Sequence, residues 1–240
     1  VPRRTQGMGA GMKIRIIDTE TTGIPSETVK HALVEVGWTD LDTETGEVSP
    51  AVSWLVNPGR AIPPDASAVH HITDEDVIGA PAPDFVMGLM MDGADGFAAH
   101  NAKFDRQFFS GGDRPWICTM TCAKHLWPDS PGFGNQTLRY WKRLAIGDER
   151  AQPSHRAGPD TFVTALILRE LLKVVGVDDL IALTSAPVLL QRMPFGKHAG
   201  MSFSEIPFDY LNWMVDRSNI DDRDVMHTAR AEIKKRRGGR

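Results

Sequence analysis

Cysteine is scarce in this chain of 240 residues: there are two, Cys118 and Cys122. Their C-x₃-C spacing is not the C-x₂-C of zinc knuckles or thioredoxin-like sites, and no second pair or neighbouring histidine completes a metal set. They read as two buried free thiols in a reducing, cytoplasmic setting. No run approaches the ~20 consecutive apolar residues that a membrane span requires, so no membrane partner is expected. Residues 1–11 are basic and Gly-rich but lack the apolar stretch of a secretory signal. They are expected to be a flexible extension, with Met8 or Met12 as a candidate start. No internal repeat and no long low-complexity linker interrupts the chain. Charge of one sign is not in excess either: 27 basic against 31 acidic side chains leave a net −4. With 41% hydrophobic residues, the composition excludes collagen, coiled coil and wholesale disorder.

What is there suffices for one large domain, or a domain plus a small appendage, with a substantial core. The charge is unevenly placed. Residues 18–95 carry 15 acidic and 2 basic side chains, a balance of −13, whereas residues 103–156 carry 9 basic against 5 acidic, a balance of +4. A carboxylate-rich front and a basic middle suit metal ions at one wall and a polyanion at another, although solvated faces would give the same counts.

Alternation predicts a strand over Lys13–Ile17, with Ile14 and Ile16 on one face and the same parity continuing to Asp18 and Glu20. Further strands are expected over Ala32–Leu41 and Val52–Val56, with the turn at Thr43–Gly46 making an antiparallel meander. Pro63-Pro64 breaks the chain, and Asp84–Met91 reads as a short helix. Strand–helix alternation follows: strand Gly96–Ala99, helix Ala102–Phe109, strand Trp116–Cys118, and a helix to about Leu126. The clearest helix is expected over Asp160–Val175, with Thr164, Ile167, Leu168, Leu171 and Val175 as its apolar stripe and Gly176 at its C′ position. This plan is α/β, with a mixed five-stranded sheet of a three-strand antiparallel meander plus two further strands, flanked by helices.

The chemistry begins at Asp18-Thr19-Glu20. Two carboxylates two residues apart on a strand project to the same side, about 7 Å apart at their base. As bare like charges in apolar surroundings they are costly, and hard divalent cations remove that cost. In isolation such a pair also fits two solvent-facing acids at a strand end. Two more elements shift the balance. His100-Asn101-Ala102-Lys103-Phe104-Asp105 follows a short strand, and His155-Arg156-Ala157-Gly158-Pro159-Asp160 precedes the long helix. Four acids and a histidine, each at the end of a regular element, can converge at the C-terminal edge of the sheet.

The ordered set D-x-E, H-N-x-x-F-D and H-x₄-D resembles the DEDDh 3′–5′ exonucleases, a proofreading-type family with a ribonuclease H-like fold. Gly23-Ile24-Pro25, Val69–Asp74, Trp116–Met120 and Leu126-Trp127-Pro128 fit the same family, and Phe195-Gly196-Lys197 narrows it to members with a small C-terminal module. Gly158-Pro159 and His71 depart from the common pattern; His71 stands where relatives often have glycine, which would narrow the nucleotide pocket. The resemblance implies two divalent cations, Mg²⁺ with Mn²⁺ as substitute, about 4 Å apart. Asp18 would bridge them, Glu20 and Asp160 would complete the first, and Asp105 would hold the second largely through water. His155 would be the general base, since an imidazole titrates near working pH. Thr19 and Gly23 would approach the terminal ribose, Ile24 would wedge against the base, His70 and Ile72 would line its pocket, and Asn101 and Phe104 would shape the site. For Ile24 and Ile72 a core role fits equally well. His100 reads as a structural, hydrogen-bonding histidine, and His31, His125, His198 and His227 as surface or packing residues.

The domains expected are residues 1–11 as extension, 12–186 as the exonuclease domain and 187–240 as the small module. In the module, Lys197 either contacts phosphate from a glycine turn or rides on a turn that packs Phe195 on Trp213. Lys234–Arg237 suit a solvated helix end. The partner implied is a DNA 3′ end, single-stranded or duplex, with RNA as an alternative because the same five residues serve both sugars. A polymerase-associated accessory subunit is the other alternative, although no polymerase domain or clamp-binding motif is present.

Overall fold

The computed structural model describes residues 11–24 and 30–238; the expected extension, apart from Gly11, and Pro25 lie outside them. By packing, the chain divides into two units, Val1–Thr184 and Ser185–Arg240. The first holds a five-stranded sheet: β1 (Lys13–Thr21), β2 (Leu33–Asp42), β3 (Val52–Leu55), β4 (Gly96–Ala99) and β5 (Trp116–Cys118). Their order across the sheet is β3-β2-β1-β4-β5. β1 pairs antiparallel with β2, and β2 with β3. β4 runs parallel to β1, and β5 parallel to β4. The meander turns where Gly46, at φ 72, returns its N–H to the Asp42 carbonyl.

Alternation along the central strand decides what each face meets. Ile14 and Ile16 of β1 join Leu41, Ala98 and Ile117 under Phe162, Val163 and Ile167 of α6 (Ala157–Leu172). Ile17, of the other parity, packs with Val36, Phe97 and Ala99 against Val86 and Met90 of α2 (Pro83–Met91). Each such fully buried side chain contributes about 1.5–3 kcal/mol. Asp18 and Glu20 continue the parity of Ile14 and Ile16, and so open toward the α6 face; Thr19 goes with Ile17.

The long helix differs from its sequence expectation at both ends. It starts at Ala157, three residues before Asp160, because a proline is tolerated in a first turn, where its missing N–H would have no intrahelical partner. Glycines let that turn come close to the sheet. A Cβ on Gly37 of β2 would lie 2.6 Å from the Ala157 carbonyl carbon, and one on Gly158 would press on Ser53 at 3.3 Å. At the other end Lys173 caps α6, and Gly176 instead precedes α7 (Val177–Ser185), accepting from the Leu180 N–H. Nor is α6 a one-stripe helix: residues 160–168 are all buried, because α4 (Thr119–Leu126) and α5 (Asn135–Lys142) pack on it as well as the sheet. The helix expected over 102–109 is one turn, α3 (Ala102–Asp105), after which Phe108 and Phe109 both donate to the Asp105 carbonyl. The short α1 (Pro64–His70) starts at the expected Pro63-Pro64 break. Cys118 and Cys122 are free and buried, and burial pushes the Cys122 thiol up to about 11.

The second unit has its own core of Met193, Phe203, Ile206, Leu211, Met214, Val225, Ala229 and Ile233. It is built around α8 (Phe208–Arg217) and α9 (Arg223–Gly238). Among the described residues no helix is long and apolar enough to cross a membrane.

Candidate active site

At the end of β1, carboxylate oxygens of Asp18, Glu20 and Asp160 lie within 4.8 Å of one another. The strand supplies the first two through its period of two, and the first turn of α6 supplies the third. Burial, followed by the fields of Asp105, Glu20, Asp160 and Glu35, holds Asp18 well above the usual carboxylate range. Glu20 is pushed up to about 8 by burial and then by Asp160, Glu35 and Asp105, with Arg156 opposing. A hard-oxygen donor set whose charges repel is the chemistry that a divalent cation satisfies, so these residues fit one.

Asp105 is not within that distance of the three. It is buried on α3, where it accepts a hydrogen bond from the Thr19 hydroxyl at 2.9 Å, and burial pushes it up to about 7. All four acids act on one another, and the field of Asp105 is the largest of the acids' fields on Asp18. Three share a tight group, and the fourth is held from the opposite parity of the same strand.

Asp160 is fixed at both oxygens. Oδ1 accepts from the Gln136 side chain at 2.9 Å, and Oδ2 from the His155 N–H at 2.9 Å. Burial still raises its pKa against those two bonds. Gln136 lies on α5, where its Oε1 accepts from Arg139 at 3.1 Å. Arg139 is buried and also donates to the carbonyls of Ala151 and Ala145. His155 has an exposed side chain and a left-handed backbone, φ 60. The next residue, Arg156, forms a two-pronged ion pair with Glu35.

The expected nucleotide-contacting residues separate into groups. Ile24 is 81% exposed, which excludes a core role. Gly23, at φ 144, lies so close to the His31 ring that a Cβ would meet it at 2.4 Å. Ile72, at 1% exposure, is packed with Val34, Ile62, Ala66 and Val77, the core role that fitted it as well as a pocket role. His70 is also closed off, its Nδ1 accepting from the Ile72 N–H. Asn101 is exposed in a left-handed conformation, φ 71, and Phe104 is half-buried against Phe108. His100 is the hydrogen-bonding residue expected, bridging Thr119 and the Phe133 carbonyl, and burial lowers its pKa to about 4. Lys197 is exposed in the second unit, beside Gly196 at φ 77. Phe195 there is exposed, and it is His198 that packs on Tyr210.

Sequence reasoning missed Glu35, Gln136 and Arg139. Glu35 had a legible signal, since it occupies an otherwise apolar buried run, Leu33–Val36. The others belong to segments with no motif.

A family model described as "Exonuclease", RNase_T, matches residues 16–168. A second model, described as a "quorum-sensing-regulated virulence factor", matches residues 184–218. Exodeoxyribonuclease 10 of Escherichia coli (strain K12) is 33% identical over 213 residues, covering 87% of this chain and 92% of the relative. The DNA polymerase III subunit epsilon of Treponema pallidum is 34% identical, covering 61% of this chain and 70% of the relative. A solved structure of exonuclease X in complex with 5′ overhanging duplex DNA aligns with TM-score 0.63 and 32% identity, over 72% of this chain and 99% of that one.

Proposed function

The chain belongs to the RNase_T family of exonucleases and is a 3′–5′ DNA exonuclease, and on that premise we propose that Asp18, Glu20, Asp105, His155 and Asp160 carry out its hydrolytic step. The observation that carries the assignment is the convergence of Asp18, Glu20 and Asp160 within 4.8 Å. Those three would hold the divalent cations, with Asp105 behind Thr19 as an outer partner and Mg²⁺ or Mn²⁺ as the ions that oxygen donors favour. When bound, the ions supply charge neutralisation at the scissile phosphate and a lowered pKa for water.

The protein's own side chains do the rest. His155, exposed at the rim and five residues before Asp160, accepts the proton of the attacking water. The water oxygen bonds to phosphorus, the bond from phosphorus to the 3′-oxygen of the penultimate nucleotide breaks, and that oxygen takes up a proton. The products are a 5′-mononucleotide and a strand shortened by one residue. Ile24 would abut the terminal base, and the Gly23 backbone would approach the ribose. The role fits DNA repair or proofreading-type end processing.

The test is digestion of end-labelled DNA and RNA oligonucleotides with Mg²⁺, with EDTA, and with Asp18→Asn. The expected outcome is 5′-mononucleotides from DNA 3′ ends, no product with EDTA, and less than a few per cent of the rate for Asp18→Asn. Release from 5′ ends, or full activity in EDTA, refutes the assignment.

A further inference from the structure

Glu35 takes no part in the chemistry above, yet it is 2% exposed on β2, directly across from Glu20 in the strand register. Like charges in that position are destabilising. Glu35 adds to the upward pull on both Asp18 and Glu20, so its own charge burdens the acid cluster.

Its oxygens are already committed. Oε1 accepts from the Ser53 hydroxyl at 2.6 Å and from Arg156 Nη2 at 2.9 Å. Oε2 accepts from Arg156 Nε at 2.9 Å and from the Ala157 N–H at 3.0 Å. A carboxylate has about four acceptor sites, and all four are used, which leaves none for a metal ion. Three of the four donors come from the two residues after His155. The Ala157 N–H is one of the helix-end donors that α6 cannot satisfy itself, and Arg156, its N-cap, makes no side-chain cap. A carboxylate from a different strand therefore caps the helix that carries Asp160.

His155 lies between two anchors. Its own N–H is fixed to Asp160 Oδ2, and the residues that follow are fixed to Glu35. Its φ of 60 is a conformation that a non-glycine residue adopts only where its surroundings impose it.

We infer that Glu35 is a positioning residue: through Arg156 and the Ala157 N–H it holds the turn between His155 and Asp160 in the left-handed form that presents His155 to the acid cluster. The inference rests on the assignment of His155 as the base, and its test separates the two.

The variant is Glu35→Gln in the full chain, with Arg156→Lys as a second break in the same strut from its half-exposed end. Each is expected to lower kcat by roughly 10–100-fold with KM within about 2-fold, the size of effect that outer-shell partners of a site have. In a His155→Ala background Glu35→Gln is expected to cost no more than a further ~2-fold, because residues that act as a unit are not additive. Amide hydrogen exchange supplies the readout apart from activity. The His155 N–H should lose protection in both variants, while the interior amides of α6, Thr164 to Leu168, keep theirs. Loss of protection throughout α6, or full additivity with His155→Ala, makes Glu35 a general structural residue and overturns the inference. Unchanged exchange at His155 with unchanged kcat overturns it as well. If His155→Ala itself retains most of the rate, the base assignment fails, and the exchange measurement still decides whether Glu35 holds the turn.

Discussion

At Glu20 the balance of forces is plain: burial and three nearby carboxylates push its pKa up to about 8 from an ordinary 4.5. Asp18 and Asp160 are raised too, and Asp105 reaches about 7. A raised carboxylate binds more protons folded than unfolded. The acids' contribution to the stability of the metal-free protein therefore falls as pH rises from about 4.5 to about 8, and their penalty is absent below that window. The expected result is a Tm in EDTA that drops between about pH 6.5 and pH 8, above the range in which His100 opposes the acids, with a gain from added Mg²⁺ that grows over the same range. Thermal melts at several pH values check this, and a Tm in EDTA that rises across that range would remove the cluster. At this scale the sequence was legible where a period of two placed side chains. Asp18 and Glu20 had to share a face. Ile24 and Ile72 could not be told apart, because exposure is settled by whether another segment covers a residue.

Helices α5 and α6 together set Asp160. One carries the carboxylate, and the other reaches it with Gln136, whose amide is turned by Arg139. Gln136→Leu keeps the size and removes the donor. It is expected to weaken Mn²⁺ binding by about 10–100-fold in calorimetry with little change in Tm; unchanged affinity would mean that the His155 N–H alone orients Asp160. Of the two helices, α6 is legible in the sequence because apolar residues dominate it, and α5 is not. The α5 segment, Asn135–Lys142, buries only Leu138 and Arg139, so its inner face carries an arginine where an apolar residue is the usual signal. That arginine is buried because the carbonyls of Ala145 and Ala151, beyond the helix, and Gln136 of its own helix accept its hydrogen bonds.

In the whole molecule, all five residues proposed for chemistry lie in the unit that ends at Thr184. The second unit presents exposed cations on α9, Arg230, Lys234, Lys235 and Arg237. Arg236, expected in a solvated run, instead pairs with Glu232 and donates to the carbonyls of Phe203 and Ile206. A chain ended at Thr184 is expected to keep its turnover number on short single strands and to show a raised KM on duplex ends. The salt dependence should flatten by about 0.9 log–log units for each DNA phosphate that the second unit no longer neutralises. Unchanged KM and salt slope would show that the second unit does not grip DNA.

By itself the sequence determined the strand–helix plan of the first unit and the order of its motifs. Hydrophobic period and local spacing are properties of neighbouring residues, and they place Asp18 and Glu20 on one face whatever surrounds them. What only the tertiary structure decided is which distant residues meet. Asp160 joins the pair because Gly37 lets the first turn of α6 press onto β2 and Gly158 lets it sit against Ser53 of β3. Asp105 is brought from α3 close enough to act on Asp18, and Thr19, of the other parity, holds it there. Glu35, an acid in an apolar run with no stated partner along the chain, becomes the cap of a helix more than a hundred residues away. Such contacts depend on close packing between segments remote in sequence, and no local pattern encodes them.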